Sequence, residues 1–203
     1  MSRYTLTGIP DDLVTLGNFG ERQLKALSFF AGQRIAVADT HTRIHSGEIF
    51  ASGAILASLG SGANFNVSVT TAAGDFPHFI INPASDGSAD FEIYEGASVS
   101  GGTPMTATNR KRYSAREQGS VLRQAPTIAS VGEKIFETHI AGATGPMGGA
   151  GSASDDFAAE WILDEATTYV FRLINRSGQA RRVGINLLWY PAPRLPDNGQ
   201  AGG

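Results

Sequence analysis

Residues 160–191, EWILDEATTYVFRLINRSGQARRVGINLLWYP, decide the fold class. They read as a short strand at Trp161–Leu163, a turn around Asp164–Ala166, a strand Thr168–Asn175, a Ser-Gly turn and a strand Arg182–Tyr190. The signal is a period of two, because successive side chains on a strand point to opposite faces. Tyr169, Phe171, Leu173 and Asn175 share one face, and Val170, Arg172 and Ile174 the other. Both faces of that strand are therefore expected to be partly covered.

The same period recurs upstream. Residues 63–71, ANFNVSVTT, put Phe65, Val67 and Val69 on one face against Asn64, Asn66, Ser68 and Thr70. Residues 47–59, GEIFASGAILASL, set Ile49, Ala51, Gly53, Ile55 and Ala57 on one parity. HFIINPAS (78–85) reads as a short apolar strand ended by Pro83, and ADFEIYEG (89–96) alternates around Phe91 and Ile93. The Asp-Gly pair between them predicts a tight hairpin, with the two strands paired antiparallel. QRIAVAD (33–39) and APTIASVGEKIFETHIAG (125–142) add further strand character. The count reaches roughly eight or nine strands with no helix long enough for a parallel crossover. The expectation is an all-β, antiparallel β-sandwich with jelly-roll-like topology and an N-terminal arm. An immunoglobulin-like sandwich gives a similar strand count.

Composition agrees. Gly contributes 25 of 203 residues without a three-residue period, which excludes collagen and favours many turns between short strands. There are no cysteines, so disulfides, thiolate metal sites and thiol catalysis are excluded. The 16 Lys plus Arg stand against 19 Asp plus Glu, a net charge of -3, which gives no broad attraction to nucleic acid or to an anionic membrane. No 18-residue apolar run occurs, and Asp11 and Asp12 stand where a signal peptide would be apolar, so the chain reads as soluble and unprocessed.

Three segments are expected. Residues 1–32 scatter Leu6, Ile9, Leu13, Val14, Leu16 and Phe19 among turn formers and read as an arm or oligomerisation segment, with ERQLKALSFFAG as its best helical stretch. Residues 33–190 form the sandwich. Residues 191–203, PAPRLPDNGQAGG, form a flexible tail with too little apolar content for a core. Within the sandwich, 97–120 read as a long Gly/Ser/Thr-rich link and 142–157 as an exposed Gly-rich loop.

Catalytic and metal patterns are weak. Asp39, His41, Arg43 and His45 lack further ligands nearby, and DTHTRIH reads as polar strand and turn, with His78 and His139 far off in sequence. Asp11–Asp12 and Asp155–Asp156 are adjacent pairs in loops, unsuited to glycosidase geometry and without an EF-hand spacing. No G-x-S-x-G elbow occurs, and GATGPMGGAGS lacks the Lys-Ser/Thr ending of a phosphate loop. The expectation is no enzyme and no cofactor. What stands out is Asn109, Arg110, Lys111, Arg112, Tyr113 and Arg116, a dense basic run suited to gripping acidic groups of a protein partner. Arg172, Arg176, Arg181 and Arg182 cluster around the last turn and read as its decoration.

The last third also resembles the closing segment of a family of tailed-bacteriophage virion structural proteins, through Trp161, Ile162, Leu163, Thr168, Tyr169, Arg172, Asn175, Gly178, Trp189 and Tyr190. A second stretch resembles the family through Phe91, Glu95, Gly101, Gly102, Thr103, Pro104, Asn109 and Arg110. The resemblance implies an accessory capsid protein that decorates or cements the head, with a tail or vertex structural component as the alternative. Its partners would be the major capsid protein or neighbouring virion proteins, in a homo-oligomer, without membrane or nucleic acid. The competing reading is a carbohydrate-binding module using Tyr94, Tyr113, Trp161, Trp189 or Tyr190, with Trp161 and Trp189 expected instead in the core.

Overall fold

The computed structural model describes residues 39–142 and 160–192, with the backbone also at 29–30, 33–34 and 151–152. The expected arm and tail, the acidic pairs and the Gly-rich loop therefore lie almost wholly outside the described residues. The chain divides into two compact units, Met1–Ser46 and Gly47–Gly203.

In the first unit, β1 (Phe29–Phe30) pairs antiparallel with β2 (Gln33–Arg34). Residues Asp39–Ser46 form a helix, α1, where polar strand and turn were expected. Arg43 and His45 in its last turn complement the negative end of the helix dipole. The helical period puts His41 and His45 one turn apart, ring centroids 4.5 Å from each other.

The second unit is an all-β sandwich. Its strands are β3 (Phe50–Leu59), β4 (Asn64–Thr70), β5 (His78–Ser85), β6 (Ala89–Glu95), β7 (Ser98–Ser100), β8 (Thr103–Pro104), β9 (Thr108–Asn109) and β10 (Val121–Gln124). They continue as β11 (Thr127–Ser130), β12 (Glu133–Ile140), β13 (Gly151–Ser152), β14 (Glu160–Ile162), β15 (Thr168–Asn175) and β16 (Arg181–Tyr190). Sheet I runs β13-β5-β16-β3-β9, with β14 also on β5, and sheet II runs β12-β6-β15-β4-β10-β8. All pairings are antiparallel. The eight strands β3, β4, β5, β6, β12, β14, β15 and β16, taken in chain order, lie first-eighth-third-sixth in sheet I and second-seventh-fourth-fifth in sheet II.

That order corrects the expected hairpin. β5 and β6 do not pair: the Asp86-Gly87 turn carries the chain from sheet I to sheet II, and the Ser177-Gly178 turn carries it from β15 back to β16. A short turn closes a hairpin or a corner with the same residues, and burial of both strands' apolar faces against each other selects the corner.

Phe50, Phe79, Ile81, Ile185, Leu187 and Trp189 of sheet I meet Phe65, Val67, Val69, Phe91, Ile93, Phe171 and Leu173 of sheet II in one core. Trp189 stacks on Phe79 at 5.1 Å and 6° and on Phe50 at 5.9 Å, and Phe79 reaches Phe171 across the sheets at 6.5 Å. On β3 the buried parity is Phe50, Ala54 and Leu56, opposite to the one expected, and Ile55 is 59% exposed. A bulge then shifts the register between Arg181↔Leu59 and Val183↔Leu56, which turns Leu59 inward. Trp189 is core as expected, but Trp161 is only half-buried: it sits on edge strand β14 and packs edge-to-face on Phe136 of β12, bridging the sandwich edge at 5.4 Å.

The long link is also more structured than expected. It leaves β6 through β7, adds β9 to sheet I beside β3, returns as β10 beside β4 in sheet II, and closes through β11, which pairs with β7. Those additions cover the edges that β3 and β4 would otherwise expose.

Candidate functional site

The basic run lies at one end of β3, where β9 pairs Asn109 with Phe50 and Thr108 with Ala51. Asn109 organises it. Its Nδ2 donates to the Gly47 carbonyl at 2.9 Å, and its Oδ1 accepts from the Lys111 N–H at 2.9 Å. Arg110 N–H donates to Ile49 O at 2.9 Å, and Ser114 N–H closes a turn on Lys111 O at 2.9 Å. Gly47 has φ +70°, and a Cβ there would meet Ser114 Oγ, so glycine alone lets the loop seat this closely.

All six expected residues share this loop. Arg110, Arg112, Tyr113 and Arg116 are exposed, Tyr113 to 83%, while Lys111 and Asn109 are half-buried. Lys111 Nζ lies 5.1 Å over the Tyr113 ring, and Arg116 pairs with Glu48 at 3.4 Å. An open cavity of about 620 Å³ is lined by Phe50, Thr106, Asn109, Arg112, Arg116 and Gln118, among others. Arg123 of β10 lies outside this loop, and its guanidinium donates to the carbonyls of Gly101 and Gly102 just before β8.

Two further arrays lie on the outer side of sheet II. Lys134 donates to Glu137 at 2.7 Å and to Glu92 at 3.1 Å, and these bonds raise its pKa above the ordinary lysine value. Arg172 packs on the Tyr94 ring at 4.9 Å and donates to Asn66 at 3.0 Å, with Tyr94 donating to Glu92 at 2.7 Å. Burial first, and the Glu92 carboxylate second, push the Tyr94 hydroxyl's pKa up.

The second array lies at the other end of β3, where Arg181 pairs with Leu59. Register sets His139 of β12 opposite Asp90 of β6. His139 Nδ1 is 2.8 Å from Asp90 Oδ1, Ser88 Oγ is 3.1 Å from His139 Nε2, and Arg176 Nε donates to Asp90 Oδ2 at 2.5 Å. Burial acts to raise the Asp90 pKa, but the hydrogen bonds from His139 and Arg176 outweigh it and hold the carboxyl below its ordinary 3.8. An ionised carboxylate only accepts, so Nδ1 carries the hydrogen and, in the neutral ring, Nε2 accepts from the Ser88 hydroxyl. No local motif announces this group, since Ser88 and His139 are 51 positions apart.

Of the aromatics considered for sugar binding, Tyr94 and Trp189 are buried, and Tyr190 stacks on His78 at 4.6 Å. Among the described residues no three His, Asp or Glu side chains gather as a metal site, and no helix is long and apolar enough to cross a membrane. No family model matches the chain, and a search of curated proteins returns no match.

Proposed function

We propose that the protein is a structural component of a tailed-bacteriophage virion that decorates the head, docking through the Asn109–Arg116 loop onto an acidic face of a capsid subunit. The observation that carries the reading is the loop itself: a backbone pinned by Asn109 presents Arg110, Arg112 and an 83% exposed Tyr113 outward. Arginine and tyrosine are the residues that concentrate binding energy at protein interfaces, and guanidinium forks match carboxylates. The sequence resemblance to virion proteins points the same way, and we read the strand order as a jelly roll. Assembly as a homo-oligomer on a lattice would add avidity, so each loop contact can be individually weak.

The test is the double variant Arg110→Ala/Arg112→Ala. Neither guanidinium is buried, so stability should stay within about 0.5 kcal/mol of the parent. Occupancy on purified heads should fall sharply at fixed salt. Full occupancy would reject the docking role, and strong duplex-DNA binding by the parent, abolished in the variant, would reassign the loop to nucleic acid.

A further inference from the structure

We propose that Ser88, His139 and Asp90 form a serine-nucleophile acyl-transfer site that hydrolyses esters, with Arg176 and Arg181 favouring esters that carry a negative charge. Docking through the Asn109 loop asks nothing of this end of the sandwich. The two places are separated by the ten residues of β3, about 33 Å of strand.

The geometry meets the requirements for an activated serine. The nucleophile and its base are within hydrogen-bond reach at 3.1 Å, and a carboxylate on the far nitrogen of the base fixes its tautomer at 2.8 Å. The members converge from separate segments: Ser88 from the β5–β6 corner, Asp90 from β6, His139 from β12, and Arg176 and Arg181 from the β15–β16 corner. Ser88 is half-buried and the His139 side chain 56% exposed, so an acyl group can reach both.

The two corners are locked together. Arg176 N–H donates to the Ser88 carbonyl at 2.8 Å, and Asp86 N–H to the Arg182 carbonyl at 3.0 Å. A Cβ on Gly87 would lie 2.9 Å from Arg181 Nε and 2.8 Å from Ser177 Cβ, so the residue before the nucleophile must be glycine for the Arg181 guanidinium to lie there. The Arg176 guanidinium is held on Asp90 and the Arg181 Nε on Ser177 Oγ at 3.3 Å, so both cations belong to the corner that carries the serine and favour a negatively charged substrate there.

In the reaction, Ser88 Oγ bonds to the acyl carbon as His139 Nε2 takes the hydroxyl proton. The tetrahedral intermediate expels the alcohol oxygen with its bonding pair, and that oxygen takes the proton from His139. Water then attacks the acyl-serine, passing a proton to His139. Release of the carboxylic acid and return of that proton to Ser88 Oγ restore the site.

The full chain is incubated with a fluorophosphonate probe and the labelled residue found by peptide mass spectrometry. Hydrolysis of p-nitrophenyl acetate and of mono-p-nitrophenyl glutarate is followed in parallel. The expected result is an adduct on Ser88, absent in Ser88→Ala and formed about 100-fold more slowly in His139→Gln. The glutarate ester should react faster than the acetate, with the preference lost in Arg181→Ala. Circular dichroism is recorded for each variant, and Asp90→Asn serves as a second slow variant where His139→Gln does not fold. No adduct on Ser88 in the folded parent, or labelling at the parent rate without the histidine, overturns the site. Equal rates on the two esters overturn the role of the arginines.

Discussion

Asn175 Nδ2 donates to the Leu59 carbonyl at 2.7 Å, joining the last residue of β15 in sheet II to the last residue of β3 in sheet I. The Asn175 side chain is fully buried, donates also to Gln179 O at 2.6 Å, and accepts from the N–H and hydroxyl of Ser177. One amide thus fixes a corner and ties the sheets together. Asn175→Ala strands several of these partners, and the expected loss is about 3 kcal/mol, read as a lower urea midpoint with unchanged slope.

Trp189 and Trp161 should separate in a stability assay. Trp189 is 1% exposed between two phenylalanines, so Trp189→Ala should cost about 3–5 kcal/mol. Half-buried Trp161 should cost about 1–2 kcal/mol as Trp161→Ala, since less area leaves water there. Trp189 Nε1 is buried without a hydrogen-bond partner, so Trp189→Phe removes an unsatisfied donor and should lose far less than the alanine variant. Chemical denaturation at several protein concentrations checks all three and exposes any dependence on assembly.

Asn109 should control the order of the basic loop more than the stability of the sandwich. Asn109→Ala removes the bonds to Gly47 O and Lys111 N, and the global midpoint should move by no more than about 1 kcal/mol. Limited trypsin digestion should cut after Arg110, Lys111 or Arg112 faster than in the parent. Unchanged digestion would mean that the backbone bonds alone hold the loop.

Asp90 should contribute to acid sensitivity. Its folded pKa lies below 3.8, so the folded state favours the ionised form. The stabilisation is present above the unfolded carboxylate pKa and is lost as pH falls through the folded value. The stability gap between the parent and Asp90→Asn, present at about pH 5, should shrink as the pH falls from about 4 toward 2. Urea midpoints across that range measure it, and a gap that does not narrow would show that charge on Asp90 is not what stabilises.

Much of the fold was legible as alternation. Phe65, Val67 and Val69, or Phe91 and Ile93, face inward as their period implies, because a half-buried strand writes its burial into parity. β3 was not legible: Phe50, Ala54 and Leu56 compete with Ile49, Ala51 and Ile55, so both parities are apolar and only the register with β16 decides between them. The Asp-Gly corner misled because turn chemistry specifies a reversal and not the sheet in which the next strand lands.

The two candidate sites divide along the same line. The basic loop is contiguous, so sequence alone assembles Asn109 through Arg116, and the tertiary structure adds the Gly47 seat and the outward presentation of Tyr113. Ser88, Asp90 and His139 became a group only through strand pairing. β12 pairs Lys134 with Tyr94 but Phe136 with Ile93, and the bulge between them moves the strand on by one residue. An unbroken register from Lys134 would have turned His139 to the inner face of sheet II; the extra residue sets it outward, against Asp90. Sequence by itself determined that strands would alternate and where the cations would crowd. Which distant side chains meet was decided by register, which no local pattern contains.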